Sequence, residues 1–232
     1  MGPLTTLDGS LTLESPRYGE TYRSRRGALS ESRHVFLAAS GLEALMAVRG
    51  AVRVMEVGFG TGLNFLVTAA AAAEAGASLQ YLAAERDPLP ADAMAALRYD
   101  ELLATFEGPS RLMAWYRQLG SPLPRGSNAW TLANTSLTLF VGEAKGLVAG
   151  VGEGTVDAVY LDPFSPRANP DAWEEDLLTS LAATLAPGGR LVTYSVSGEV
   201  RRRLTGAGLD VAKVPGPTGG KRESLVARAP DR

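Results

Sequence analysis

The chain is 232 residues long, contains no cysteine and a single histidine, and carries a formal net charge of −2. That length suits one mid-sized domain able to bury a real core. The missing thiols exclude disulfides, thiolate metal sites and cysteine nucleophiles, and His34 alone cannot supply a multi-histidine zinc site, so no metal is expected.

The opening Met1-Gly2-Pro3-Leu4-Thr5 lacks the basic and apolar blocks of a signal peptide, and no apolar run is long enough to cross a bilayer. No membrane association is expected, and the cytoplasm is the default location. Residues 1–50 read as an N-terminal arm packed on the core, with a net charge of +1, and residues 51–232 as the domain proper. Within that domain the charge is uneven: −8 over residues 51–189 and +5 over 190–232. A basic C-terminal segment on an acidic body is compatible with a polyanion on one face, or with ordinary solvated helices.

Past the arm, short apolar runs alternate with helix-patterned stretches. Val52–Val57 reads as a buried strand ending at glycine, and Leu63–Ala75, rich in Ala, as the helix after it. Leu79–Ala84 reads as a second strand closed by Glu85, followed by a helix over Pro90–Thr105 that opens on proline. Leu137–Val141 and Val156–Leu161 are the third and fourth strands. A helix over Asp171–Leu185 stops at Pro187-Gly188-Gly189. Leu191–Ser195 is a fifth strand, Glu199–Ala207 a helix, and Leu209–Val214 with Ser224–Arg228 a closing antiparallel hairpin. Such alternation predicts an α/β, Rossmann-like, doubly wound and mostly parallel sheet, with ligands bound beyond the C-terminal strand ends.

The residues at those ends are therefore the candidates. Gly58, Gly60 and Gly62 allow a tight turn and close ligand approach, while the following helix directs its free N–H groups at the loop. A dinucleotide fingerprint needs glycine at the sixth position, and here that position is Leu63. Glu56 before the glycines suits an amino-acid-bearing nucleoside better than a pyrophosphate, its carboxylate meeting the ligand's ammonium. Glu85 is placed to accept from ribose hydroxyls, and Glu143, after the third strand, from an adenine amino group. Asp162, at the end of the fourth strand, is the candidate catalytic carboxylate, since transfer to an amine needs an oriented lone pair and a proton acceptor. Phe164 offers a flat face to a base or a cation. Tyr22 in the arm and Lys221-Arg222 in a glycine-rich loop are candidate substrate contacts, while His34 reads as structural.

Taken together, these residues resemble the methyltransferase domain of the bifunctional tRNA (5-methylaminomethyl-2-thiouridine) biosynthesis enzymes, as a stand-alone version. The matching pieces are Arg17–Tyr22, Glu31–Leu37, Glu56–Phe65, Leu161–Trp173, Pro187–Gly189 and Gly220–Glu223, in family order along nearly the whole chain. The resemblance implies a class I S-adenosylmethionine-dependent methyltransferase with tRNA as partner, methylating the exocyclic amine of 5-aminomethyl(-2-thio)uridine at the wobble position. It further implies that Glu56, Gly58, Phe59, Gly60, Thr61, Gly62 and Asn64 hold the cofactor. Two departures stand out: Pro163, where the family usually has glycine, removes an amide donor, and Gly19-Glu20 replaces a pair of acids. No second glycine-rich βαβ unit is visible, so the family's flavin oxidase half is expected to be absent. The rival readings are methylation of a small-molecule or protein amine, an aminopropyltransferase on the same fold, and a non-enzymatic cofactor- or RNA-binding protein.

Overall fold

The structure is a computed structural model that describes residues 2–220 and 222–231. Its centre is an eight-stranded sheet. In chain order the strands are β3 (Ala51–Val57), β4 (Ser78–Glu85), β5 (Gly126–Leu132), β6 (Thr135–Val141), β7 (Val156–Leu161), β8 (Leu185–Thr193), β9 (Asp210–Pro215) and β10 (Glu223–Arg228). Their spatial order is β5-β6-β4-β3-β7-β8-β10-β9, and β6, β4, β3, β7 and β8 run parallel. The β9–β10 hairpin closes one edge antiparallel, as the sequence predicts, and β5 adds an antiparallel strand at the other. A two-stranded ribbon, β1 (Leu4–Thr5) and β2 (Leu11–Thr12), lies outside this sheet.

The parallel strands form from runs that are apolar on both faces, because both faces are covered. Every residue of β7 is buried, and its side chains alternate between two cores. Tyr160 joins Val54, Tyr81, Leu139 and Val192 on one face. Val159 and Leu161 join Met55, Val57 and Leu191 on the other. The first face is covered by α2 (Leu42–Arg49), α3 (Leu63–Glu74) and α6 (Gly108–Leu119), the second by α7 (Ala144–Val148), α8 (Glu175–Thr184) and α9 (Gly198–Gly206). Large side chains carry the first core. Phe36 and Phe65 are fully buried, and truncating either to alanine removes on the order of 3–5 kcal/mol.

Residues 1–50 contribute to that first core through Val35, Phe36, Leu37, Leu42 and Met46. They do so from α1 (Ala28–Glu31), a π-helical stretch over Ser32–Ala38, and α2. Three predicted elements differ. The helix expected over Pro90–Thr105 is broken into α4 (Ala91–Ala95) and α5 (Tyr99–Leu102), with Arg98 between them at φ 54°. The helix expected over Asp171–Leu185 begins as a 3-10 turn at Pro170–Trp173 and becomes α-helical only at Glu175. Pro187-Gly188-Gly189 lies inside β8, where the pairing with β7 slips, instead of ending a helix. Among the described residues no helix is long and apolar enough to cross a membrane.

Candidate functional site

The C-terminal ends of β3, β4, β6 and β7 open into a cleft of about 780 Å³, a size typical of small-ligand sites. The loop after β3 forms its floor. Gly58 sits at φ +89°, and a Cβ there would stand 2.7 Å from the backbone oxygen of Asp162. Only glycine lets β3 and β7 end this close together at the floor of the cleft. Gly60, at φ +51°, passes beneath the ring of Tyr22.

Of the sequence candidates, Tyr22, Gly58, Gly60, Glu85, Glu143, Asp162 and Phe164 border the cleft. Glu85, at the end of β4, accepts from the Gly60 N–H at 2.8 Å and from the Asp87 N–H at 2.9 Å, so it braces the glycine loop while half-buried at the rim. Glu143 is exposed and ion-paired at 2.7 Å with Arg86, which also reaches Asp171 at 3.4 Å. Phe59, Thr61, Gly62 and Asn64 lie below the floor, fully or nearly buried. Arg222 is exposed and does not border the cleft, and Lys221 lies outside the described residues. His34 is exposed, its Nε2 2.8 Å from the Pro215 carbonyl oxygen, tying the π-helical stretch to β9.

Glu56 differs from its expected placement. Its side chain is fully buried under the floor, where Asn64 Nδ2 donates to it at 2.8 Å and the Tyr81 hydroxyl at 3.0 Å. Burial pushes its carboxyl up to about 8, against the opposing pull of Arg23. Phe164 also differs: Tyr18 stacks on it at 4.3 Å between ring centroids and Tyr22 meets its edge at 5.0 Å, so one of its faces is already taken from within the chain.

Asp162 is 5% exposed at its side chain. Its Oδ2 accepts from Arg23 Nη1 and, at 2.9 Å, from Asn64 Nδ2. Burial raises its pKa above the usual carboxylate range and Arg23 pulls the other way. The loop that follows is held by three contacts. Tyr194 OH donates to the Pro163 carbonyl at 2.7 Å, Trp173 Nε1 to the Phe164 carbonyl at 2.8 Å, and Ser165 to Glu20 through both its N–H and its hydroxyl.

Sequence reasoning missed Arg23 and Glu20. Arg23 is 3% exposed, its guanidinium lying between Asp162 and Glu56 (Nη2 to Oε1, 3.9 Å) and 6.0 Å from the Phe36 ring centroid. Burial disfavours the Arg23 cation, yet Asp162 and Glu56 outweigh it and hold its pKa above the ordinary value. Nothing local marks either residue, because their partners lie far along the chain. The one available hint is Arg23's place in an arm already rich in aromatic residues.

A set of glycines under a cleft, braced by a strand-end acid and faced by a second acid, is able to hold a nucleoside and orient an amine. Comparison with known proteins agrees. Residues 115–230 match a family described as S-adenosyl-L-methionine-dependent methyltransferase. A tRNA 5-methylaminomethyl-2-thiouridine biosynthesis bifunctional protein MnmC from Chromobacterium violaceum is 38% identical over 92% of this chain and 33% of its own length. Its namesake in Cupriavidus metallidurans is 35% identical over 97% of this chain and 33% of its own. The chain thus spans about a third of the length of these relatives. The crystal structure of MNMC2 from Aquifex aeolicus superposes with a TM-score of 0.77 at 27% identity, over all of this chain and 72% of that one.

Proposed function

Since the chain belongs to a family of S-adenosyl-L-methionine-dependent methyltransferases, we propose that the amine it methylates is that of 5-aminomethyl(-2-thio)uridine at the wobble position of tRNA. The observation that carries this reading is the similarity to MnmC over more than nine-tenths of the chain, arm and cleft included. In this reading residues 1–50 are an arm that completes the site, residues 51–232 are the catalytic domain, and the enzyme works in the cytoplasm, where tRNA is.

The residues suit the cofactor. The cofactor supplies an electrophilic methyl group on a sulfonium centre. Gly58, Gly60 and Gly62, with Phe59 and Thr61 packed beneath them, keep the floor open, and Glu85 faces the ribose. Glu143 is free to exchange Arg86 for the adenine edge. Glu56 and Asn64 support this floor from below, Glu56 being enclosed by Asn64 and Tyr81 instead of reaching the ligand. Asp162 orients the acceptor: no hydrogen bond among the described residues reaches its Oδ1, the oxygen left to accept an amine N–H. Holding the lone pair in line and taking up the proton are the two tasks amine methylation sets. Tyr22 and Phe164, which border the cleft, are assigned to the acceptor side.

A second reading is favoured by one observation. Among the described residues eight acidic and four basic ones border the cleft, which suits a free cationic amine better than a polyanion. The two are separated by incubating the protein with methyl-labelled cofactor and tRNA lacking the modification, then analysing nucleosides by mass spectrometry, with simple polyamines in parallel. Label in 5-methylaminomethyl nucleoside supports the tRNA reading. Label confined to the polyamine sinks it.

A further inference from the structure

Arg23 is a full positive charge, carried on the arm, in a site whose proposed chemistry brings in a sulfonium and an amine. A further cation beside a sulfonium and an amine is a poor choice unless it acts on the acids around it. Those acids come from three elements: Glu56 from β3, Asp162 from the end of β7 and Glu31 from α1, with the Tyr194 phenol facing them from the end of β8. Asn64 is the neutral member and donates to both Glu56 and Asp162. Among the described residues Arg23 therefore stands with three acids and lies within ion-pair distance of two of them.

The geometry around Asp162 is asymmetric. Arg23 and Asn64 both engage Oδ2, no hydrogen bond among the described residues reaches Oδ1, and Asp162 borders the cleft. Arg23 itself is held from the other side by the Phe36 ring, and its Nε is buried without a partner. A buried donor left unsatisfied costs on the scale of a lost hydrogen bond, and such costs persist in working sites where the group has another task.

We propose that Arg23 is the positioning residue of methyl transfer: delivered by the arm, it keeps Asp162 a carboxylate at neutral pH and turns Oδ1 to the acceptor amine. The proposal rests on the reading of Asp162 as the acceptor-facing acid, and on no particular acceptor. Its chemistry is electrostatic and breaks no bond. In a buried site with Glu56 and Glu31 close by, an unpaired Asp162 would take up a proton, and a protonated acid is a weaker acceptor for an N–H and cannot take up the amine's proton. The arm is then part of the catalytic centre, because the site has its reactive charge only while the arm is docked.

The test is a carboxyl titration by ¹³C NMR on the full chain labelled at aspartate, with Asp162→Asn to assign the signal. In Arg23→Gln the Asp162 carboxyl is expected to titrate about 1–3 pH units higher than in the wild type, the usual effect of removing an adjacent opposite charge. In Arg23→Lys it should return most of the way. The acid limb of the methyl-transfer rate should move with it, which a purely structural role would not produce. An Asp162 signal unmoved by Arg23→Gln in a folded protein overturns the proposal. Should that variant not fold, Arg23→Met keeps the stem over Phe36 and serves instead. A wild-type Asp162 that is still protonated at pH 8 overturns it with no variant needed. Because the titration needs no substrate, it stands apart from any failure to methylate tRNA.

Discussion

Glu20 accepts two hydrogen bonds from Ser165, one from the backbone N–H at 3.0 Å and one from the hydroxyl at 2.5 Å, across 145 residues of sequence. The contact joins the arm to the loop that carries Asp162, next to the place where Tyr18 and Tyr22 pack on Phe164. It makes the arm and the reacting loop one mechanical unit.

Removing either partner should loosen that unit. Glu20→Ala forfeits two charge-assisted hydrogen bonds at a half-buried position, at a cost of roughly 1–2 kcal/mol after allowance for solvent. Combined with Ser165→Ala in a double-mutant cycle followed by urea unfolding, the pair should show a coupling of about 0.5 kcal/mol or more. Strictly additive effects would mean the hydroxyl half of the contact contributes no stability.

Gly58→Ala should be the most damaging small substitution on the floor. Its φ of +89° strains any Cβ, at a cost of order 1–3 kcal/mol, and the Cβ would meet a backbone oxygen that cannot swing aside. Thermal unfolding should fall, and calorimetry should show S-adenosylhomocysteine binding weakened by more than about tenfold, or about 1.4 kcal/mol. Wild-type affinity in this variant would show that the close approach of β3 and β7 is not needed for the ligand.

Glu85→Ala removes the acceptor for the Gly60 and Asp87 N–H groups together with the proposed ribose contact. S-adenosylhomocysteine should bind roughly tenfold more weakly or worse, with the fold retained by circular dichroism. Affinity unchanged by the substitution would remove Glu85 from the site.

Stability should depend on pH through Glu56. Its folded-state pKa is raised by burial to about 8 from an ordinary 4.5, so between those values the folded protein holds a proton the unfolded chain has lost. That contribution to stability is greatest on the acid side and declines as pH rises through the window. Melting temperature measured from pH 5 to 8 should therefore fall less steeply for Glu56→Gln than for the wild type. Parallel slopes would place the proton elsewhere.

Most of the scaffold is legible in the sequence because parallel strands covered on both faces leave apolar runs, as in Val52–Val57 and Val156–Leu161. The glycine loop is legible for the same kind of reason, since few residues tolerate its backbone. Edge features are less so. β5 alternates buried and exposed positions around Trp130 and was not anticipated, and α6 likewise hides its buried Leu112 and Tyr116 among polar neighbours. The break at Arg98 follows from a left-handed residue no local pattern announces. The site's electrostatics were the least visible part. Arg23 reads as one more solvated arginine until the fold brings Asp162 to it, and Glu56 reads as a ligand contact until Asn64 and Tyr81 are seen to enclose it.

The separation of 139 positions between Arg23 and Asp162 also imposes an order on how the protein is made. At ribosomal speeds of about 5–20 residues per second, Arg23 precedes Asp162 by on the order of ten seconds. Through that interval a solvated guanidinium on a polar segment is harmless, whereas an apolar plug of the same size would be sticky. The nascent chain can thus keep the segment around Arg23 in water until β7 and the loop that carries Asp162 have been made.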